Sequence, residues 1–253
     1  MLTEEQARES IIVAFDCDGS QAIELAERLG GAARWAKVGM TLFYAEGPRI
    51  VRELRDRGLK VFLDLKLHDI PFQVGGAAES ASLTGADILS IHGMGGAEMV
   101  AKAREGVERA AESRGGDRTR LVAISVLTSM DQAALQSIGV DSPVEEEVSR
   151  LASLAVGAGS DGIVCSPREA REMRALLGPK ALIVTPGVRP AGSEVGDQRR
   201  VATPREAIEA GASKLVIGRP ITRAADPLAA LEGVVGELTA ESWRQRCPIR
   251  ALL

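Results

Sequence analysis

The chain has 253 residues, with 31 Lys and Arg against 35 Asp and Glu, a formal charge of −4 that offers no footprint for nucleic acid or an anionic membrane. Apolar residues at 45% are enough for a core and exclude a disordered chain, while 3% aromatic residues argue against base-stacking platforms. No apolar run approaches the roughly 20 residues of a membrane helix.

The opening MLTEEQARES is acidic and polar, unlike a secretory leader. Eight short, β-branched apolar segments then follow at 11–15, 34–38, 60–65, 86–91, 121–126, 161–164, 181–184 and 214–217. Most are continuous rather than alternating, as expected of parallel strands covered by helices. Helical stretches lie between them. Gly30 and Gly58 occupy helix-stop positions. Ser142-Pro143 precedes Glu145, Glu146 and Glu147, a run expected to be a solvated helix start, and Val144, Val148, Leu151 and Ala155 form one apolar stripe. Thr203-Pro204-Arg205-Glu206 reads as a capping box with Pro at the first helical position. Asp226-Pro227 opens a last helix whose buried face is predicted to carry Leu228, Leu231, Val235 and Leu238. No linker, low-complexity tract or 20–50-residue repeat interrupts this rhythm. Eight βα units predict an α/β fold of the (β/α)8 TIM-barrel type, one domain over 1–253, with its core at about 11–238 and a tail at 239–253. The alternative is a doubly wound open sheet, but no G-x-G-x-x-G follows the first strand.

In such a barrel, chemistry collects at the C-terminal ends of the strands. The first strand delivers Asp16 and Asp18, the second Lys37, the third Asp64, Lys66 and Asp69, and the fifth leads to Thr128 and Ser129. Asp64 and Lys66 are two apart in an extended run, so both point to one face. Charges there are costly to bury unless they neutralise one another, and an ion pair that merely caps the barrel is the bland reading. A lysine held between carboxylates stays protonated, which makes it a poor Schiff-base nucleophile but a good cation and proton donor facing a carbanion. Near the end of the chain, Gly187 and Gly218 allow close backbone approach to an anion, and Arg189 and Arg219 supply charge, which together suggest a phosphate site. The alternative is two surface arginines in tight turns. The three cysteines, Cys17, Cys165 and Cys247, are scattered and suggest neither a disulfide framework nor a zinc site; Cys17 and Cys165 read as packing residues. His68 and Trp35 read as structural, whereas His92 is open to either a structural role or one lining the barrel mouth.

Asp16, Lys37 within AKVGM, DLKLHDIP at 64–71, LTS at 127–129, PGVR at 186–189, Gly196-Asp197-Gln198 and GRPI at 218–221 together resemble the orotidine 5′-phosphate decarboxylase family, in order over roughly 11–238. The resemblance implies cofactor-free and metal-free decarboxylation of orotidine 5′-phosphate to UMP and CO2, the last step of de novo pyrimidine synthesis. It implies a homodimer with active sites at the subunit interface, and no nucleic-acid or membrane partner. Asp16 would hold the ribose, and Lys37 would bind the ribose and order the charged array. Asp64 would sit beside the substrate carboxylate, and Lys66 would protonate the ring carbon. Asp69 would enter the neighbouring subunit's site. Thr128 and Ser129 would face the base, and Arg189, Gln198, Gly218 and Arg219 would hold phosphate. The 186–200 segment, rich in Gly and charge, is expected to act as a lid. Phe72-Gln73 replaces the family's usual smaller polar residues, and Phe15 and Cys17 flank Asp16 where other apolar residues are common. Two rival readings remain: a magnesium-dependent decarboxylase of sugar-acid phosphates using Asp64 as a ligand, and a non-catalytic phosphate-ligand-binding barrel. The expected address is the cytoplasm, and one barrel of this length leaves no room for an attached phosphoribosyltransferase.

Overall fold

The computed structural model describes residues 1–190 and 202–240. The eight apolar segments form the strands β1 (Ile11–Phe15), β2 (Trp35–Gly39), β3 (Lys60–Leu67), β4 (Ile88–His92), β5 (Arg120–Ile124), β6 (Gly162–Val164), β7 (Leu182–Thr185) and β8 (Lys214–Ile217). They pair in chain order, all parallel, and β8 closes on β1. The expected (β/α)8 barrel is therefore the observed fold and the open sheet is not. Strand ends shift from their expected places by no more than two residues, β3 running on to Leu67.

The continuous apolar strands have their cause in two buried faces. Alternate residues point to the barrel axis, where Ile12, Trp35, Phe62, Ile88, Val122 and Val184 form an inner cluster. Their neighbours Val13, Val38, Leu63, Leu89, Leu121 and Ile217 pack outward beneath the helices. The inner stack is closed at its N-terminal end by Trp35, whose Nε1 donates to Glu9 at 2.9 Å. The Lys214 ammonium lies 4.2 Å from the Trp35 ring centroid and also meets Glu9. Polar chemistry is thus left to the opposite, C-terminal end.

Helix starts follow the sequence closely. Thr203 and Glu206 complete both halves of a capping box with Pro204 in the first turn, and Gly30 and Gly58 take left-handed φ of 50° and 84° at helix stops. Two expectations need correction. In the helix Val144–Gly157, Glu147 is 2% exposed rather than solvated, because Arg150 and Ser142 donate to its carboxylate. That partnership holds its carboxyl below the usual carboxylate range despite burial. In the helix Pro227–Thr239, Leu228 is 39% exposed. At about 3.6 residues per turn, Pro227, Leu231, Val234 and Leu238 share the buried face and Leu228 rotates off it. No helix among the described residues is long and apolar enough to cross a membrane.

Candidate active site

The C-terminal ends of β1, β2 and β3 bring four charges into a row. Lys37 Nζ lies 3.0 Å from Asp16 Oδ1 and 3.8 Å from Asp64 Oδ2, and Lys66 Nζ lies 2.8 Å from the same Asp64 oxygen. The order Asp16, Lys37, Asp64, Lys66 alternates in sign, so every charge has an opposite neighbour. Gly39 makes the row possible. A Cβ there would stand 3.0 Å from Lys37 Nζ and 3.5 Å from Asp16 Oδ1. Lys37 and Asp64 are each only 9% exposed. Burial alone would push the Asp64 carboxyl up, but Lys37 and Lys66, with hydrogen bonds from Lys66 and Ser90, hold it below the usual carboxylate range. The second Asp64 oxygen accepts the Ser90 hydroxyl at 2.8 Å.

Two adjoining hollows meet at this row, sharing Lys37, Pro186 and Val216 in their walls. One, of about 170 Å³, is lined by Asp64, Lys66 and Thr128 with the apolar side chains of Phe62, Ile124, Val126 and Val164. The other, of about 410 Å³, is lined by Asp16, Gly187, Arg189, Gly218, Arg219 and Arg223. Burial and the nearby Arg219 charge push the Arg189 guanidinium down from its ordinary value, so a negative charge placed between them would relieve both. Chemically, the pair of hollows offers an anion end, a carboxylate and an ammonium suited to hydroxyl groups, and an apolar end with one further ammonium. A larger hollow of about 720 Å³ opens at the other end of the barrel, where Arg55 pairs with Asp87 and Arg118 with Asp161. It is remote from these groups.

The structure thus brings together Asp16, Lys37, Asp64, Lys66, Thr128, Arg189, Gly218 and Arg219. Ser129 is exposed and lines neither hollow. Asp69 is exposed, its carboxylate accepting the Ile70 N–H at 2.6 Å, and it does not join the row of its own chain. Gln198, most of the expected 186–200 lid, and the tail from 241 onward lie outside the described residues. Arg189 N–H nevertheless bonds the Ala202 carbonyl, so the two ends of that segment meet. Asp18 is a helix cap, accepting from Gln21 N–H and Ser20 Oγ. Sequence reasoning missed Ser90 and Arg223. A serine inside the apolar run ADILSI was a usable signal for the first; nothing marked the second.

The remaining candidates do not join the charged row. His68 and His92 stack with ring centroids 5.1 Å apart. Burial, then His68 and Lys66, lower the His92 pKa to about 4, and its Nδ1 is buried without a hydrogen-bond partner. Burial, then Asp18 and Asp16, push the Cys17 thiol up to about 11, leaving it a protonated, unreactive group. Cys165 is fully buried in an apolar cluster. Among the described residues, no cluster of three or more His, Cys, Asp or Glu is arranged to hold a metal ion.

Comparison with known proteins matches this geometry. A family model described as "Orotidine 5'-phosphate decarboxylase / HUMPS family" matches residues 9–234. An orotidine 5′-phosphate decarboxylase from Moorella thermoacetica is 49% identical over 234 residues, 92% of this chain and 93% of its own. One from an Anaeromyxobacter species is 54% identical over 202 residues, 80% of this chain and 86% of its own. The crystal structure of the orotidine 5′-phosphate decarboxylase of Lactobacillus acidophilus superposes with a TM-score of 0.82 at 36% identity, covering 92% of this chain and 100% of that one. With a matching family model, a matching barrel and relatives of this similarity over most of its length, the chain belongs to the orotidine 5′-phosphate decarboxylase family.

Proposed function

We propose that the protein decarboxylates orotidine 5′-phosphate to UMP and CO2 with its own charges as the whole catalytic apparatus. The observation that carries this reading is Asp64 held between two ammonium groups at the mouth of an apolar hollow, with an arginine-lined hollow adjoining it. The phosphate fits the Arg189, Gly218 and Arg219 end, where Gln198 would complete the grip. The ribose fits against Asp16 and Lys37. The pyrimidine ring fits the apolar hollow beside Thr128, next to Ser129 in the chain, with its carboxylate toward Asp64 and Lys66.

Loss of CO2 leaves an electron pair in an in-plane orbital that the ring cannot delocalise, a problem most decarboxylases solve with an organic electron sink. A fixed ammonium beside the developing charge, in a hollow walled by Phe62, Ile124, Val126 and Val164, acts where water screens it least. Lys66 then delivers its proton to the ring carbon and ends the reaction. The phosphate is remote from the breaking bond, so its binding energy is free to order the site around that bond.

The magnesium-dependent rival uses Asp64 as a metal ligand. Here both oxygens of Asp64 are already taken up by Lys37, Lys66 and Ser90, and two ammonium groups repel a dication from the same position. A spectrophotometric assay with orotidine 5′-phosphate on metal-stripped protein in excess chelator separates the readings. Full turnover is expected; activity that disappears and returns with magnesium would favour the rival, and nucleotide binding without any turnover would favour a non-catalytic barrel.

The active unit in this reading is a cytoplasmic homodimer in which Asp69 reaches the partner's site. Two observations support it. Asp69 is exposed in its own chain, and the adjoining Ile70 and Phe72 are 63% and 82% exposed, an apolar face that a second copy would bury.

A further inference from the structure

Along β3 the barrel breaks its own regularity at the reacting groups. Leu63 stands opposite Leu89 of β4 and Leu67 opposite Ile91, so three residues, Asp64, Leu65 and Lys66, face the single residue Ser90. Such an irregularity leaves backbone groups without their ladder partners. Ser90 is fully buried, and its hydroxyl fills the gap. It accepts the Lys66 N–H at 2.9 Å and donates to Asp64 Oδ1 at 2.8 Å. A hydroxyl has one proton and two lone pairs, so it makes both bonds at once. An alanine in its place makes neither.

Lys66 also has φ of 52°, the only positive φ outside glycine among the described residues. That conformation is strained for a residue with a Cβ and persists only where the surroundings over-determine it. Ser90 grips both ends of the strained step: the backbone of the residue that is strained and the carboxylate that its ammonium must reach.

We propose that Ser90 is a positioning residue for the decarboxylation, fixing the Lys66 ammonium against Asp64 without touching substrate. The inference rests on the functional reading given above and adds to it the group that holds the proton donor in register. With the hydroxyl gone, Lys66 N–H loses its partner, the left-handed step relaxes toward extended backbone, and the ammonium swings away from the carboxylate. The bland alternative is a serine that merely fills a gap in the sheet, which would alter stability and nothing else.

The test compares Ser90→Ala, Ser90→Cys and Ser90→Thr in the full-length chain. A displacement of about 1 Å costs about 10²-fold in rate. Ser90→Ala and the nearly isosteric Ser90→Cys are therefore expected to lose about that factor in kcat with KM little changed, while Ser90→Thr, which keeps the hydroxyl, recovers most of it. If Ser90→Ala does not fold, the cysteine variant carries the comparison. Unchanged kcat per folded site in Ser90→Cys, with only the melting temperature lowered, would overturn the proposal. Should the wild-type chain itself not turn over orotidine 5′-phosphate, the functional reading fails instead. A crystal structure of Ser90→Cys then still decides the positioning role. Lys66 relaxed to negative φ and parted from Asp64 supports it, and Lys66 unmoved refutes it.

Discussion

Asp64 accepts from the Lys66 ammonium and the Ser90 hydroxyl and pairs with the Lys37 ammonium at 3.8 Å, yet it is almost wholly buried. Removing either ammonium leaves buried negative charge poorly compensated, and removing the hydroxyl leaves a buried carboxylate oxygen without its donor, which is why each member of the row depends on the others. His92 has the opposite problem, a half-buried imidazole whose Nδ1 is buried without a partner. Its neutral form is favoured in the fold, with a pKa of about 4 against about 6.5 in an unfolded chain. Between those values the unfolded chain binds more protons than the folded one, so His92 makes stability fall as pH drops from about 6.5 to about 4 and level off below. His92→Gln removes this contribution. Its melting temperature is expected to vary less with pH across that window than that of the wild type, and superimposable profiles would show that His92 does not titrate as described.

At the level of strands and helices, much was legible because it rests on short-range rules. Eight apolar segments marked eight strands, since each strand has two buried faces. Thr203 with Glu206, and Asp226 before Pro227, marked helix starts through hydrogen bonds that span only three residues. The charged face of β3 was also legible: Asp64 and Lys66 do share a side, as period-2 alternation leads one to expect. The path to that side was not. Lys66 steps into the left-handed region and β3 slips past β4 where its N–H meets the Ser90 hydroxyl, 24 residues away in the chain. Alternation carries no information about such a partner. Glu147 fails in the same way, because its burial follows from how Arg150 and Ser142 fold over it, not from its own polarity. Leu228 failed for a smaller reason: a proline one position earlier occupies the buried face in its place.

For the whole molecule, the row of Asp16, Lys37, Asp64 and Lys66 is built within one chain, and Asp69 does not join it. If Asp69 serves the partner subunit, chains carrying Lys66→Ala and chains carrying Asp69→Ala should each be nearly inactive alone. Mixed dimers should regain activity, because one of their two sites then draws an intact Lys66 and an intact Asp69 from different chains. A confirmed heterodimer that stays inactive would show that Asp69 acts within its own subunit or not at all. Phe72 and Ile70 belong to the same surface. In that reading the same second copy would bury them.

If the ammonium of Lys66 does the work of a prosthetic group, kcat of Lys66→Ala reports it, with UMP affinity measured beside it to show an intact site. General acid catalysis and fixed-charge stabilisation together are worth about 10⁴-fold or more, so at least that loss of kcat is expected while UMP still binds. A variant that binds UMP normally and keeps kcat within about tenfold of wild type, far short of what those two effects supply, would contradict the account.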